Sequence, residues 1–380
     1  MKLYYIANAR MPHKKAYAIQ IAKMCEAFIN EGVDLELIVP RYANEARDIK
    51  KYYNLTTEVK VKRLLSIDLY ASGKWGFFLS SISFMVSYFF YLFLKKLRGK
   101  GGIVYIIDMD TFSFLPSVFL RMPYFFETHG GKTKNFINLF FFKHISGVIV
   151  INNIIKKQIA EKLAFSKERI LVWPNGIDLD LFKEISKKEA RKKLSLSLDN
   201  KIIMYSGRFY GWKGLDVLVS AAGTLPDNIF IYIIGGSKEE FISLTGKNNL
   251  SSNIIFPGEK LYTEMPLWLS AADALLVLGT KYDTQSYYYT SPMKVFEYLA
   301  MNRPIIASKT PAICDIVSEK EVVFYEPDDP KDLADKILLV VGMTKDVKNK
   351  VSAARKKAES FTWKKRAKDI LNFIKNIQSK

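Results

Sequence analysis

Short, continuously apolar runs rich in Val, Ile and Tyr alternate with helical patterns along the whole chain. Runs of this kind are typical of strands that are buried on both faces of a parallel sheet. The first half of the chain contains six such runs, at 3–6, 34–39, 59–63, 103–107, 124–127 and 148–151. The second half contains six more, at 201–205, 229–234, 254–256, 274–278, 304–307 and 322–325. The sequence therefore predicts an α/β fold with two doubly wound domains.

A cluster of turn-forming residues separates the two series. Pro174, Asn175 and Gly176 stand together in it, and such residues are typical of a chain break between elements. We therefore predict one domain over 1–172 and a second over 173–360. A last helical pattern, at 362–377, has one apolar face. In domains of this class, ligands bind at the carboxyl ends of the strands.

No charged residue occurs from Trp75 to Leu94, and Lys or Arg residues flank this run on both sides. Three alternatives are open: a fully buried core helix, a helix in the membrane interface, and a transmembrane span. The strands before and after the run belong to one series, which argues against a span, whereas the flanking cations favour the interface. The candidate membrane contacts are Trp75, Phe77, Phe78, Lys95, Lys96 and Arg98. The aromatic segment 136–143 is a second candidate patch, although a core position explains it equally well.

Composition adds a charge imbalance to this picture. The chain has 380 residues, and 57 Lys and Arg against 38 Asp and Glu give a formal net charge of +19. That charge indicates anionic partners: nucleic acid, nucleotide phosphates or an acidic membrane surface. Two cysteines are too few for a disulfide framework, and the first apolar run is too short for a secretory signal. We therefore expect a cytoplasmic protein.

The segment 205–215 connects a predicted strand to a predicted helix and contains Gly207, Arg208 and Lys213. The free amides at a helix start favour an anion, and the two cations add a forked donor and a point charge. Both observations indicate a phosphate site, although a surface turn with two solvated cations remains the alternative.

The segment 291–304 predicts a helix with Ser291 as its N-cap and Pro292 at its first position. Lys294 and Glu297 are three residues apart and share a helix face. A lone carboxylate inside an apolar helix suits a vicinal diol such as a ribose, because it accepts two hydrogen bonds. An ordinary Lys–Glu ion pair is the alternative.

Two connections in the first domain also follow strands and face the ligand-binding edge. His129 stands at the end of a predicted strand, before two glycines, and is one of only three histidines. The connection 8–20 is basic and contains Arg10 and Lys15. We therefore expect both connections to contribute to a site.

Four motifs, taken in order, resemble the nucleotide-sugar-dependent glycosyltransferases of family four, also called group 1. They are PNGID…F at 174–182, SGR…KG at 206–214, FPG at 256–258 and SPMKVFEYLA…RPIIAS at 291–308. The resemblance covers nearly the whole chain. It implies the GT-B fold, with two Rossmann-like domains that face each other across a cleft, and a terminal helix that packs back on the first domain.

The resemblance also assigns roles to individual residues. It implies that Arg208, Lys213, Glu297 and His129 are catalytic. The donor-binding residues would be Gly207, Gly235, Gly258, Ser291, Pro292, Met293 and Lys294. The acceptor-side residues would be Arg10, Lys15 and Tyr17. Transfer with retention at the anomeric carbon is implied, with no metal and no cofactor, since the nucleotide sugar is a substrate.

Two departures from the family pattern affect these assignments. The family usually has a further glutamate eight residues before the Glu297 position, where this chain has Tyr289. The identity of the sugar is therefore open. The glycine-rich first loop of many members is replaced by 15–18, which puts acceptor contacts there in doubt.

The leading hypothesis is a retaining glycosyltransferase that extends a lipid-linked, polysaccharide or other cell-envelope acceptor at the inner face of the cell membrane. A nucleotide-sugar epimerase, or another GT-B enzyme that uses no lipid, is the alternative. Nucleic-acid binding ranks third, because the cations of this chain are spread along the sequence and no nucleic-acid recognition module is visible.

Overall fold

The computed structural model describes residues 1–42, 48–70, 72–107 and 111–379. The chain separates into two compact units, Met1–Trp173 with Trp363–Lys380, and Pro174–Thr362. The first unit therefore contains both ends of the chain. The domain division predicted at 172/173 differs from the observed one by a single residue.

In the first unit, the strands are β1 (Lys2–Ala7), β2 (Asp34–Pro40), β3 (Val61–Leu64), β4 (Ile103–Ile107), β5 (Tyr124–Thr128), β6 (Gly147–Val150) and β7 (Ile170–Val172). The helices are α1 (Ala16–Asn30), α2 (Ile49–Tyr53), α3 (Gly73–Leu97), α4 (Phe136–His144), α5 (Asn153–Lys162) and, from the chain's end, α14 (Trp363–Gln378). The described strands form one parallel sheet in the order β3-β2-β1-β4-β5-β6-β7.

In the second unit, the strands are β8 (Lys201–Ser206), β9 (Ile229–Ile234), β10 (Ile254–Gly258), β11 (Ala274–Val277), β12 (Ile305–Ser308) and β13 (Val323–Tyr325). The helices are α6 (Lys187–Lys193), α7 (Asp216–Ala222), α8 (Lys238–Thr245), α9 (Met265–Ala271), α10 (Met293–Leu299), α11 (Pro311–Cys314), α12 (Pro330–Val341) and α13 (Lys345–Ala358). Their sheet is also parallel, in the order β10-β9-β8-β11-β12-β13.

Both strand orders are doubly wound, so the predicted α/β fold is confirmed. Each of the twelve predicted strands is present. Only β7 was missed, because its three residues are too few to show a pattern. In each sheet the order reverses beside the first strand, between β1 and β4 and between β8 and β11. Ligand sites of this fold class lie at such reversals.

The predicted uncharged helix is present as α3, but it is oriented with its polar side toward the protein. Ser80 and Ser83 accept hydrogen bonds from the backbone amides of Leu69 and Ile67, at 2.9 and 2.8 Å. Tyr91 donates a hydrogen bond to the Glu36 carboxylate at 2.5 Å. The exposed large apolar residues of α3 are Trp75, Phe77, Phe78, Leu79, Val86, Phe90, Phe93, Leu94 and Leu97.

The alternative of a fully buried core helix is therefore wrong, since only 28% of its most apolar 18-residue window is buried. By length and composition alone α3 is able to cross a membrane, a property that it shares with many core helices of soluble proteins.

Helix α14 packs on the sheet of the first unit. Phe373 meets the Phe125 ring edge to face, with the ring centroids 6.0 Å apart. Gly147 makes this approach possible, because a Cβ there would lie 3.0 Å from atoms of both rings. Asp369 accepts a hydrogen bond from the Trp173 indole at 2.9 Å. These contacts attach the end of the chain to β5, β6 and the residue after β7.

The same helix places Arg366 beside Glu127, and both side chains are fully buried. Arg366 Nη2 donates to Glu127 Oε1 at 2.8 Å. Burial raises the pKa of Glu127, but Arg366 and His129 more than offset this effect and lower the pKa below its ordinary value. The carboxylate is therefore ionised in the folded protein at neutral pH.

We predict that Arg366→Met destabilises the protein by about 3–5 kcal/mol, because the substitution leaves the Glu127 carboxylate buried without its cation. Urea unfolding at neutral pH measures the change. The double variant Glu127→Gln, Arg366→Met removes both charges, so part of the lost stability should return. A single variant as stable as the wild type contradicts the prediction.

Candidate functional site

The candidate site of the second unit lies at the carboxyl edge of its sheet, at the reversal between β8 and β11. The segment after β8 carries Gly207, Arg208 and Lys213, and the segment after β11 leads to α10 with Lys294 and Glu297. Parallel strands bring these two connections to the same edge. The predicted phosphate segment and the predicted diol-binding helix therefore meet.

Gly207 and Gly235 allow the backbone to pack closely at this edge. Both have φ near +133°, a conformation that other residues rarely adopt. A Cβ on Gly235 would lie 2.3 Å from the Gly207 carbonyl oxygen. A Cβ on Gly207 would lie 2.9 Å from Lys294 Nζ and 3.7 Å from Lys213 Nζ. Gly258, at the end of β10, accepts a hydrogen bond from the Gly235 amide at 3.2 Å.

Two lysine amines therefore lie against Gly207. Burial, together with the smaller effect of the nearby Arg208, lowers the pKa of Lys213 to about 8. Burial and Lys213 together lower the pKa of Lys294 well below its ordinary value. Lys213 Nζ donates to the Arg208 carbonyl at 2.8 Å, and Lys294 Nζ lies 3.6 Å from the centre of the Tyr205 ring. The three cationic side chains have two acidic neighbours, Glu297 and Glu259, and the Glu259 carboxylate lies 3.7 Å from Arg208 Nη2.

Glu297 is the carboxylate of this cluster. Burial raises its pKa to about 7, although Lys294 acts in the opposite direction. No group among the described residues donates a hydrogen bond to its carboxylate. The neighbouring Tyr298 is occupied, because its hydroxyl accepts from the Ser206 amide at 2.9 Å. Glu297 is therefore the acidic group at this edge that remains able to accept hydrogen bonds from a ligand.

The structure corrects the predicted start of α10. Ser291 is not the N-cap; Pro292 holds that position without a side-chain bond, and the helix begins at Met293. The Ser291 carbonyl instead accepts a hydrogen bond from Asn175 Nδ2 at 2.7 Å. Ser291 Oγ and Asn175 Oδ1 are buried without a hydrogen-bond partner. Burial of an unpaired polar atom is costly, so both atoms are candidate ligand contacts.

His129 of the first unit follows β5, at the carboxyl edge of the other sheet, and 28% of its side chain is exposed. Its Nε2 lies 2.6 Å from Glu127 Oε1. Gln20 of α1 donates to the same oxygen at 2.6 Å, and the Tyr105 hydroxyl donates to Glu127 Oε2. Neither Tyr105 nor Arg366 was predicted as a site residue, and Gln20 was predicted only as part of the connection 8–20, because the three come from distant elements.

The proposed acceptor-side residues form a separate set of contacts in the first unit. Arg10 pairs with Asp68 at 2.9 Å, and its guanidinium lies 4.8 Å from the centre of the Tyr42 ring. The Lys15 amide, at the start of α1, donates to His13 Nδ1 at 3.1 Å, and the His13 and Tyr17 rings stack at 6.1 Å. These contacts order the loop after β1, and the acceptor role of its residues stays a prediction.

Comparison with known proteins identifies the second unit. Residues 186–357 match the family model of glycosyl transferases group 1. A processive diacylglycerol alpha-glucosyltransferase from Acholeplasma laidlawii is 28% identical over 195 residues, which are 48% of this chain and 56% of the relative. Matches to curated relatives span between 41% and 66% of the relatives' lengths.

Solved structures match nearly the whole fold. Sucrose-phosphate synthase from Thermosynechococcus elongatus has a TM-score of 0.80 at 18% identity, and the match covers 100% of this chain and 99% of that chain. HepE from Anabaena, solved with UDP and glucose, has a TM-score of 0.73 at 14% identity and coverage of 99% and 100%. At such identities the likeness establishes the fold alone.

We predict that pyrophosphate binding takes up protons above about pH 8, where Lys213 of the empty site loses its proton. A bound anion favours the charged amines and raises the depressed pKa of Lys213 and Lys294. Affinity should therefore fall as pH rises above about 8, where the empty site loses the Lys213 proton. Calorimetry in buffers of different ionisation enthalpy measures the uptake.

The matched variants separate the buried amines from surface charge. Lys294→Met should reduce the proton uptake, whereas Lys193→Met, on the exposed face of α6, should not change it. A binding heat that does not depend on the buffer would show that neither buried lysine changes its protonation.

Proposed function

We propose that this chain, whose second unit matches the group 1 glycosyl transferases, transfers a sugar from a nucleotide-sugar donor to an acceptor. One observation carries the proposal: Arg208, Lys213 and Lys294 gather at the strand-order reversal, beside a carboxylate that has no hydrogen-bond donor among the described residues. A nucleoside diphosphate group supplies what this arrangement lacks, because its phosphates neutralise the cations and its ribose offers two hydroxyl donors.

In this proposal the cations bind the diphosphate and stabilise the charge that develops on it as the sugar–phosphate bond breaks. Glu297 accepts hydrogen bonds from the ribose hydroxyls, and the polar atoms of Ser291 and Asn175 contact the donor. His129 lies near the transferred sugar. We propose that transfer retains the anomeric configuration and that the cations, rather than a metal ion, provide the electrostatic stabilisation.

Known proteins narrow the donor and the acceptor to be tested first. The HepE structure contains UDP and glucose, which supports UDP-sugars as first donors. The Acholeplasma relative acts on diacylglycerol, which supports a lipid-linked acceptor. The epimerase alternative remains, and an assay of nucleotide release with and without lipid acceptor distinguishes the two. Nucleic-acid binding stays third.

We predict that Lys213→Ala and Glu297→Ala each lower kcat/KM for donor at least about tenfold, because each removes a charge or acceptor that contacts the nucleotide. A nucleotide-sugar panel read by thermal shift identifies the donor first, since a bound ligand raises apparent stability. Product formation is then measured for each variant.

Lys193→Ala and Glu189→Ala are matched controls, because this exposed pair lies on α6 and not in the site. Both controls should keep wild-type rates. If Lys213→Ala and Glu297→Ala also keep wild-type rates, the proposal that these residues bind the donor is wrong.

We further propose that the first unit binds the cytoplasmic face of an anionic membrane through α3. Aromatic residues outside α3 extend this surface. Phe78 of α3 stacks on Phe112, with the ring centroids 5.1 Å apart, and the Phe119 ring centroid lies 6.5 Å from that of Phe140 in α4. Phe136 at the start of α4 is 81% exposed. Lys96 and Arg98, which are exposed at the end of α3, provide attraction to acidic lipids, whereas Lys95 is paired with Glu36 at 3.5 Å.

We predict that the protein co-sediments with vesicles of anionic lipid and that Trp75→Glu with Phe90→Glu reduces this binding at least about tenfold. The two side chains are 79% and 57% exposed, so the change should leave the fold intact. Leu261→Glu with Leu338→Glu, exposed at 67% and 45% in the second unit, should bind like the wild type. Equal loss in both double variants contradicts a role for this particular surface.

A further inference from the structure

Glu127 has more hydrogen-bond partners than a structural ion pair requires. Its two carboxylate oxygens face Arg366, Gln20, Tyr105 and His129. These four residues come from α14, α1, β4 and the end of β5, so Glu127 connects four elements. Only His129 among these partners reaches solvent, with 28% of its side chain exposed.

The contacts of His129 determine which ring nitrogen carries the proton in the neutral imidazole. Nε2 lies 2.6 Å from Glu127 Oε1. Gln20 Nε2 lies 3.1 Å from the same ring nitrogen but donates to that carboxylate oxygen at 2.6 Å, so it makes no hydrogen bond to a protonated Nε2. Glu127 is ionised, because Arg366 and His129 offset the effect of burial on its pKa. An unprotonated Nε2 would therefore place a lone pair against a carboxylate oxygen at 2.6 Å, whereas a protonated Nε2 donates to it.

The opposite nitrogen, Nδ1, then has its lone pair available. Among the described residues, the polar contacts of this ring are made through Nε2. A neutral imidazole held in this form offers one hydrogen-bond acceptor, of the kind that a substrate hydroxyl requires.

Arg366 explains why a carboxylate remains charged at this depth. Without that guanidinium, burial would favour the protonated acid, and an acid would not hold the imidazole in one tautomer. A buried ion pair is in itself a weak source of stability compared with apolar residues of similar volume. Its effect on the imidazole gives it a role that packing alone does not.

We propose that Glu127 is a positioning residue that holds His129 with the proton on Nε2 and Nδ1 free to accept from a substrate hydroxyl, and that Arg366 of α14 maintains this arrangement through Glu127. The identity of the hydroxyl compound as a sugar substrate rests on the proposed function, whereas the tautomer does not. Helix α14 thereby contributes to the site although it carries no residue that touches substrate.

The tautomer is tested on the whole protein without any assay of activity. Nitrogen-15 correlation spectra of the imidazoles, recorded at alkaline pH, distinguish protonated from unprotonated ring nitrogens. The chain has three histidines, so His13→Gln and His144→Gln assign the His129 signals. A single form protonated at Nε2 is expected. A form protonated at Nδ1, or a mixture of the two forms, overturns the proposal.

Measurement of kcat and KM provides a second test of the proposed role of Glu127 and Arg366. The double variant Glu127→Gln, Arg366→Met removes both charges, so it avoids an uncompensated buried ion. We expect kcat to fall about tenfold or more while KM for the donor stays unchanged, because orientation of the imidazole is lost. Adding His129→Asn to this variant should cause little further loss, since both changes remove the same contribution.

The control is another buried ion pair, Arg191 with Asp273 of the second unit. Arg191→Met with Asp273→Asn should lower stability toward urea but leave kcat near the wild-type value. An unchanged kcat and an unchanged His129 tautomer in the Glu127 and Arg366 double variant would overturn the proposal. Absence of any transferase activity in the wild type, with the expected tautomer present, would count against the proposed function alone.

Discussion

The candidate donor site depends on the burial of positive charge at the edge of a sheet. Lys213 and Lys294 lie against Gly207, where burial and neighbouring cations lower the pKa of both amines. Such a cluster is unfavourable until an anion neutralises it. The close backbone packing of Gly207 and Gly235 and the reversal of strand order hold the cluster together despite this cost. Preorganised charge of this kind is also what stabilises a leaving diphosphate.

The two buried carboxylates Glu127 and Glu297 have different surroundings, and we therefore propose different roles for them. Glu127 is surrounded by donors, and its pKa is below the ordinary value. Glu297 has no donor among the described residues, and burial raises its pKa to about 7. The first carboxylate is satisfied within the protein and orients a neighbour. The second carboxylate has no hydrogen-bond donor among the described residues, so we propose it as a contact of the nucleotide.

The strands and the motif residues were predictable from the sequence, because continuous apolar runs and short motifs are local features. Gly207, Arg208, Lys213 and Glu297 follow strands or open helices in the order that the fold requires. The contacts of Glu127 were not predictable, since Arg366 lies 239 positions away. The cap assigned to Ser291 was wrong because local propensity favours Ser at a helix start, whereas its carbonyl bonds to Asn175.

The orientation of α3 supports the proposed binding of the first unit to a membrane. Its serines form hydrogen bonds with backbone groups of 65–69, so the serine face lies against the unit. Many of its aromatic side chains are therefore exposed. A helix that covers a sheet for stability alone gains by burying its larger apolar face. This one leaves Trp75, Phe90 and Leu97 at 79%, 57% and 68% exposure, with lysines beside them. A surface of this composition gains most where water meets anionic lipid, and under the proposed function an acceptor anchored in that membrane would be concentrated near the site.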